Sequence, residues 1–144
     1  MTPDDVTTAY AAAVGAKDAE AFLALYADDV RNFDLWSVWS YDGKDAVREM
    51  VEEWFGSPDT AAQVAVEFDE VRTEVGADVA ALSAFLTFRG LDADGTELRS
   101  MNNRLTWILR RDGDGWKIVH EHTSAPAGDE GKVSLRRPTV FACR

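Results

Sequence analysis

The stretch Arg104-Leu-Thr-Trp-Ile-Leu-Arg-Arg-Asp-Gly-Asp-Gly-Trp-Lys-Ile-Val-His-Glu-His-Thr-Ser124 reads as a β-hairpin. Its first arm, 104–110, is rich in strand formers: Leu105, Thr106, Trp107 and Ile108. Its second arm, 116–124, carries Trp116, Ile118, Val119 and Thr123. Between them Asp112-Gly113-Asp114-Gly115 is a strong turn signal, because glycine accepts a positive φ without steric cost. Both histidines of the chain, His120 and His122, fall on the second arm. Strand residues two apart share a face, so the two rings are expected to be neighbours, on the face of Trp116, Ile118 and Ser124. Asn103 and Arg104 stand on the partner strand.

Outward from the hairpin, the second half of the chain is almost all strand. The runs 64–75, 79–90, 96–110 and 116–124 are joined by Gly76-Ala77-Asp78, by Asp92 to Gly95, and by the hairpin turn. Connections this short join antiparallel neighbours, which predicts a meander. In 64–75 the apolar parity switches at Asp69-Glu70, from Val64, Val66 and Phe68 to Val71, Thr73 and Val75. A β-bulge there would curl the sheet.

The first half reads as helices. Thr2-Pro3-Asp4-Asp5 is a helix start, with Val6, Tyr10, Ala13 and Val14 at helical spacing and Gly15 as its stop. Asp18 caps a short second helix carrying Phe22, Leu25 and Tyr26, and 30–36 is a short strand. A third helix, 44–55, carries the apolar stripe Val47, Met50, Val51, Trp54 and Phe55. Three helices followed by a curved antiparallel sheet is an α+β layer fold, with the sheet expected to wrap helix 44–55. Residues 1–125 read as one domain. After Pro126 the apolar pattern stops, and 126–144 is expected to be a mobile tail.

Composition narrows the function. The chain has 144 residues and is 46% hydrophobic with five tryptophans, enough for a sizeable core. Its formal charge of −11 argues against nucleic acid, since phosphate binding needs a basic surface. No apolar run reaches membrane-spanning length, so no membrane partner is expected. Met1 to Asp5 has neither a basic nor a hydrophobic region, and the single cysteine, Cys143, rules out an internal disulfide. A cytoplasmic location, with Cys143 inert, is the expectation.

Three stretches carry a family likeness. They are 16–30 with Asp18, Phe22, Tyr26 and Val30; Phe33-Asp34-Leu35 followed by Gly43-Lys-Asp-Ala-Val-Arg48; and Arg104 through Pro126. In this order they resemble the nuclear transport factor 2-like superfamily, and within it the SnoaL-like and ketosteroid-isomerase-like proteins. The chain also resembles the association domain of calcium/calmodulin-dependent protein kinase II. The resemblance implies a cone: a curved sheet with helices packed on it, a pocket at the open end, and a dimer through the outer sheet face. The superfamily contains isomerases, cyclases, dehydratases and non-catalytic assembly domains, so activity has to be argued from the site.

In gapless register, Asp34 falls on the general base of ketosteroid isomerase and Tyr10 on its oxyanion-hole tyrosine. A carboxylate at a pocket mouth can take a carbon-bound proton while a phenol donates to the developing enolate. The protonated aspartate that completes that site has no counterpart in Asn102-Asn103-Arg104, so steroid isomerisation itself is not expected. Tyr10 also fits simple core packing. The resemblance to the kinase domain puts Arg104 in the pocket, where a guanidinium can hold a carboxylate or enolate; a structural ion pair with Asp34 or Glu121 is the other reading. The isomerase register turns His120 and His122 inward, where an imidazole can serve as acid or base; either could instead bond a carbonyl or sit in a dimer interface. Two histidines and one aspartate can also bind a metal, but no further Cys, His or spaced carboxylates support a metal site, and none is assigned. Trp36, Trp39, Trp54 and Trp107 would wall the pocket or fill the core, and Asn103 lines it.

The reading that results is a cofactor-free enzyme doing acid–base chemistry on an apolar carbonyl compound. Asp34 would be the base, Tyr10 and Arg104 electrophilic donors, His120 a second acid or base, and Asn103, Trp36, Trp54, Trp107 and His122 the surrounding contacts. The alternative is a non-catalytic ligand-binding or assembly domain that holds a small anion through Arg104. Convergence of Asp34, His120 and Arg104 on one pocket favours the enzyme; an arginine standing apart favours binding. A homodimer through the outer sheet face is expected in either case, because the apolar residues of these strands exceed what one face can hide.

Overall fold

The computed structural model describes residues 1–138; Cys143 lies outside them. Two helices open the fold, α1 (Pro3–Ala16) and α2 (Ala19–Leu23). Thr2 N–H donates to Asp5 Oδ2 at 2.7 Å, so the start of α1 is closed by the acid of its own first turn. Its end differs from expectation. Gly15 stays inside the helix, and Lys17 takes the left-handed conformation instead (φ 51°). Lys17 Nζ donates to Ala61 O at 2.7 Å, a tertiary contact that helps hold this backbone. Asp18 caps α2 by accepting from Ala21 N–H at 3.0 Å.

Strand β1 (Tyr26–Phe33) and the short β2 (Tyr41–Asp42) follow, then α3 (Lys44–Gly56) and the four strands β3 (Gln63–Val75), β4 (Val79–Leu91), β5 (Glu97–Asp112) and β6 (Gly115–Ser124). The sheet order is β2-β1-β6-β5-β4-β3. Strands β3 to β6 form the antiparallel meander that the short Gly/Asp turns predict. The sheet as a whole is curved, unclosed and mostly antiparallel. Among the described residues the one parallel pairing is β1 on β6, with Asn32 opposite Glu121 and Phe33 opposite His122. The bulge expected at Asp69-Glu70 is present: the β3–β4 register shifts between Asp69 and Arg72, and Glu70 has φ 53°.

The helix that lies along the sheet is α1, packed on β3, rather than α3 as the sequence suggests; α3 closes the other side against α2, β1 and β2. The reason is composition. Helix α1 buries Val6, Tyr10, Ala13 and Val14, with the Tyr10 ring packed on Phe68 and Trp107 of the sheet, whereas only Val47 and Val51 of α3 are fully buried. The core under the concave face includes Phe22, Tyr26, Leu82, Leu86, Leu105, Trp107, Leu109 and Ile118, all fully buried. At roughly 1.5–3 kcal/mol for each large apolar side chain, these hold the cone together.

Residues 126–138 turn back along β5. Asn102 N–H donates to Leu135 O at 2.6 Å and Asn102 Oδ1 accepts from Arg137 N–H at 2.9 Å. Arg137 also pairs with Glu70 at 2.6 Å and lies over the Phe85 ring. Among the described residues no helix is long and apolar enough to cross a membrane.

Candidate functional site

The open end of the cone holds a cavity of about 740 Å³. Its walls are apolar and aromatic: Phe22, Met50, Trp54, Phe88 and Met101, with Leu135 of the returning segment. Its polar lining includes Tyr10, Asp34, Asn103, Glu121 and Thr123. Volume and lining both suit a ligand of drug-like size with few polar contacts.

Local structure explains how the polar groups gather. Strand β1 ends at Phe33, and the chain then turns away from β6, leaving Asp34 beside Thr123. Leu35 N–H donates to Thr123 Oγ1 at 2.8 Å, Thr123 Oγ1 donates to Asp34 Oδ1 at 3.3 Å, and Trp36 N–H donates to Asp34 Oδ2 at 3.2 Å. In β6 the register slips: Ile108 pairs with His120, but Leu109 pairs with Ile118, so Val119 is an extra residue. This bulge reverses the face parity. Trp116 and Ile118 point inward before it, and Glu121 and Thr123 point inward after it.

Glu121 is the residue that sequence reasoning missed. It is only 3% exposed. Its Oε1 accepts from Tyr26 O–H at 2.6 Å and from Trp107 Nε1–H at 2.9 Å. Burial raises its pKa; the two donors oppose that, and the charge of Asp34 raises it further. Asn32, opposite it, slightly favours the charged form, yet neither of its buried amide atoms makes a well-aligned hydrogen bond. Asp34 is also raised, by burial, against the pull of the Trp36 amide, the Thr123 hydroxyl and the Leu35 amide. Tyr10 is lifted well above the usual phenol range by burial and by the carboxylates of Glu121 and Asp34. Among the described residues no cation offsets either carboxyl, so both tend to hold a proton longer than an exposed acid would.

The residues singled out from sequence divide into two groups. Tyr10, Asp34, Trp36, Trp54 and Asn103 line the cavity. Arg104, His120 and His122 do not. The expectation that the histidines share a face with Trp116 and Ile118 is corrected by the Val119 bulge, which turns both rings to the outer face against Phe33, at 5.0 and 5.5 Å between ring centres. His120 Nδ1 lies 2.8 Å from Arg31 O. Arg104 is exposed on the same outer face and donates to Ser124 Oγ at 3.0 Å. The predicted convergence of Asp34, His120 and Arg104 is therefore absent, and Arg104 pairs with neither Asp34 nor Glu121. Trp107 belongs to the core, fully buried beside Tyr10 and Phe68 at 5.7 Å. Trp39 is 96% exposed and is no wall. The sequence carried only half a signal for Glu121: apolar residues leave the even positions after Ile118, but polar Glu121 and Thr123 take up the odd ones, so no apolar stripe marks the switch as it does at Asp69.

Among the described residues no three His, Cys, Asp or Glu side chains cluster as metal ligands would. Asn103 Oδ1, buried in the cavity wall, has no hydrogen-bond partner among them and is free to accept from a ligand.

Comparison with known proteins agrees with this architecture. A nuclear transport factor 2-like protein of unknown function from Pseudomonas putida is 25% identical, with 94% of this chain and 93% of that one covered and a TM-score of 0.81. A ketosteroid isomerase-like protein from Erwinia carotovora atroseptica is 24% identical over 84% of this chain and 91% of its own, with a TM-score of 0.64. A protein from Xanthomonas campestris, provisionally assigned as a calcium/calmodulin-dependent protein kinase II association domain, is 17% identical over 85% and 84%, with a TM-score of 0.71. No curated protein matches the chain. The family model for the SnoaL-like domain matches residues 4–128, nearly the whole of the cone, and the chain belongs to that family.

Proposed function

We propose that this protein is an acid–base enzyme acting on a small, mostly apolar carbonyl compound bound in the cavity. Asp34 is the base. It takes a proton from the carbon next to the carbonyl, and the electron pair of that C–H bond moves onto the carbonyl oxygen. Tyr10 and a protonated Glu121 donate hydrogen bonds to the developing enolate. Asp34 then returns the proton to another carbon of the enolate system, which gives an isomerase; to a β-hydroxyl that departs as water, which gives a dehydratase; or to the alkoxide formed when the enolate carbon attacks a second carbonyl of the same molecule, which gives a cyclase. The observation that carries this reading is the meeting of Asp34, Glu121 and Tyr10 in one cavity with apolar walls and, among the described residues, no cationic partner for either carboxyl. A carboxyl pair of this kind separates into a base and an acid when their environments push the two pKa values apart. Relative to the reading from sequence, Glu121 replaces Arg104 and His120, which lie outside the cavity.

The test is exchange of carbon-bound hydrogen for deuterium, followed by NMR over a panel of enolisable ketones, alongside mass spectrometry of whatever co-purifies in the cavity. For a compound that exchanges, Asp34→Asn lowers the rate by about a thousandfold and leaves affinity within about tenfold. Full activity in that variant overturns the assignment.

A second part of the proposal is assembly as a homodimer through the outer sheet face. Ile108, 39% exposed, supports it, as do its cross-strand neighbours Ala81 and His120 and the cluster of Phe33, His122 and Arg104 nearby. In the competing reading, a non-catalytic assembly domain, the same face does all the work and the cavity none. Exchange in wild type that Asp34→Asn abolishes separates the two.

A further inference from the structure

The cavity is electrically uneven from floor to mouth, and this bears on its ligand. Its inner part carries the buried carboxyl of Glu121 and the half-buried carboxyl of Asp34, and Asp34, once ionised, repels a second anion there. Its mouth carries two arginines, Arg89 and Arg99, both in the lining. Arg89 is already committed: its Nε lies 3.0 Å from Glu67 Oε1 and its Nη1 3.1 Å from Glu97 Oε1. Arg99 is not. Its Nη2 donates to the backbone carbonyl of Asp59 at 2.7 Å, and among the described ion pairs it takes no part. A carbonyl oxygen positions a guanidinium without neutralising it, and the remaining N–H groups keep the fork geometry that matches a carboxylate. The carboxyls of Glu53 and Asp59 also line the cavity and are exposed, so no general positive field draws anions in; any attraction is local to the guanidinium.

Resting on the acid–base reading of the floor, we infer that Arg99 anchors a carboxylate at the mouth, and that the ligand is an amphipathic acid: an aromatic-sized apolar body with its carbonyl at Asp34 and its carboxylate at the opposite end. The two ends of the cavity then fix the direction of binding. Reversed, the ligand carboxylate would meet Asp34 and Glu121, and the carbonyl would sit in solvent.

Isothermal titration with a matched pair, 2-naphthoic acid and its methyl ester, tests this at neutral pH. The wild-type protein should bind the acid at least tenfold more tightly than the ester, and only the acid should weaken with added salt. Arg99→Gln should lower the affinity for the acid about tenfold and leave the ester within twofold. Arg99→Lys, which keeps charge but not the fork, should fall between. Failure of the acid to bind, equal binding of acid and ester, or an equal loss of both in Arg99→Gln would overturn the inference. The role of Asp34 is tested separately by deuterium exchange of neutral ketones, so either conclusion can fail without the other.

Discussion

Replacing Glu121 by Gln should make the protein more stable at pH 8 and leave the variant's stability relative to wild type at its baseline near pH 4. Glu121 is buried with no cation beside it among the described residues, and its pKa in the folded protein is raised, first by burial and then by the charge of Asp34. An unfolded glutamate titrates at about 4.3. Between that value and the raised folded pKa, the folded state holds a proton that the unfolded state has lost. Stability therefore falls as pH rises through this window and levels off above the folded pKa. Each pKa unit of the rise amounts to about 1.4 kcal/mol of stability lost at pH 8. Glutamine is neutral at every pH and can still accept from Tyr26 and Trp107 through its own Oε1, so it escapes the loss. Any fixed difference in packing between Gln and protonated Glu is the same at both pH values and cancels. So does the titration of exposed carboxylates such as Asp29 and Glu67, whose pKa values are lowered by Arg110 and Arg89 in both proteins. For a chain of 144 residues the unfolding entropy near 60 °C is about 0.3 kcal/mol/K, so each unit appears as about 5 °C in Tm. The assay is urea or thermal unfolding of both proteins from pH 4 to pH 8. A stability difference that does not change with pH, or that turns against the variant as pH rises, refutes the account of Glu121 as a buried acid without a cation.

Three further outcomes follow from the same cluster and from the sheet. Tyr26→Phe removes the 2.6 Å donor that favours ionised Glu121, so it should cost about 1 kcal/mol at pH 4 and more at pH 8, read by urea unfolding. For any substrate found, kcat/KM should be bell-shaped in pH, rising as Asp34 ionises above the ordinary aspartate range and falling as Glu121 loses its proton; the acid limb should disappear in Asp34→Asn and the alkaline limb should change in Glu121→Gln. Ile108→Glu should convert the proposed dimer to a monomer in analytical ultracentrifugation without lowering Tm by more than a few degrees, since the side chain is already partly exposed; a wild-type monomer at micromolar concentration would refute the dimer itself.

Local chemistry made much of the fold legible. The turns at Gly76, at Asp92–Gly95 and at Asp112–Gly115 are short and rich in glycine and aspartate, and turns of that kind permit only antiparallel neighbours, so β3 to β6 could be ordered from sequence. The parity switch at Asp69–Glu70 gave away its bulge because apolar residues mark the inward face on both sides of it. Asp34 and Tyr10, placed by family register, and Trp54, read from the apolar stripe of its helix, all line the cavity, as does Asn103. Tertiary structure decided the rest. The bulge at Val119 is marked by polar residues, so a strict alternation count put His120 and His122 inside and Glu121 outside, the reverse of what the pairing with β5 imposes. A single inserted residue flips every side chain beyond it on the same strand, so His120 and His122 leave the site together while one carboxyl enters; Arg104 faces out by the unbroken alternation of β5, where Asn103, Leu105 and Trp107 point inward. The parallel partner of β6 was equally invisible, because it lies nearly ninety residues away in β1 and leaves no local mark on either strand. Sequence determined which segments pair with their neighbours; only long-range pairing decided which face of each strand looks into the cavity.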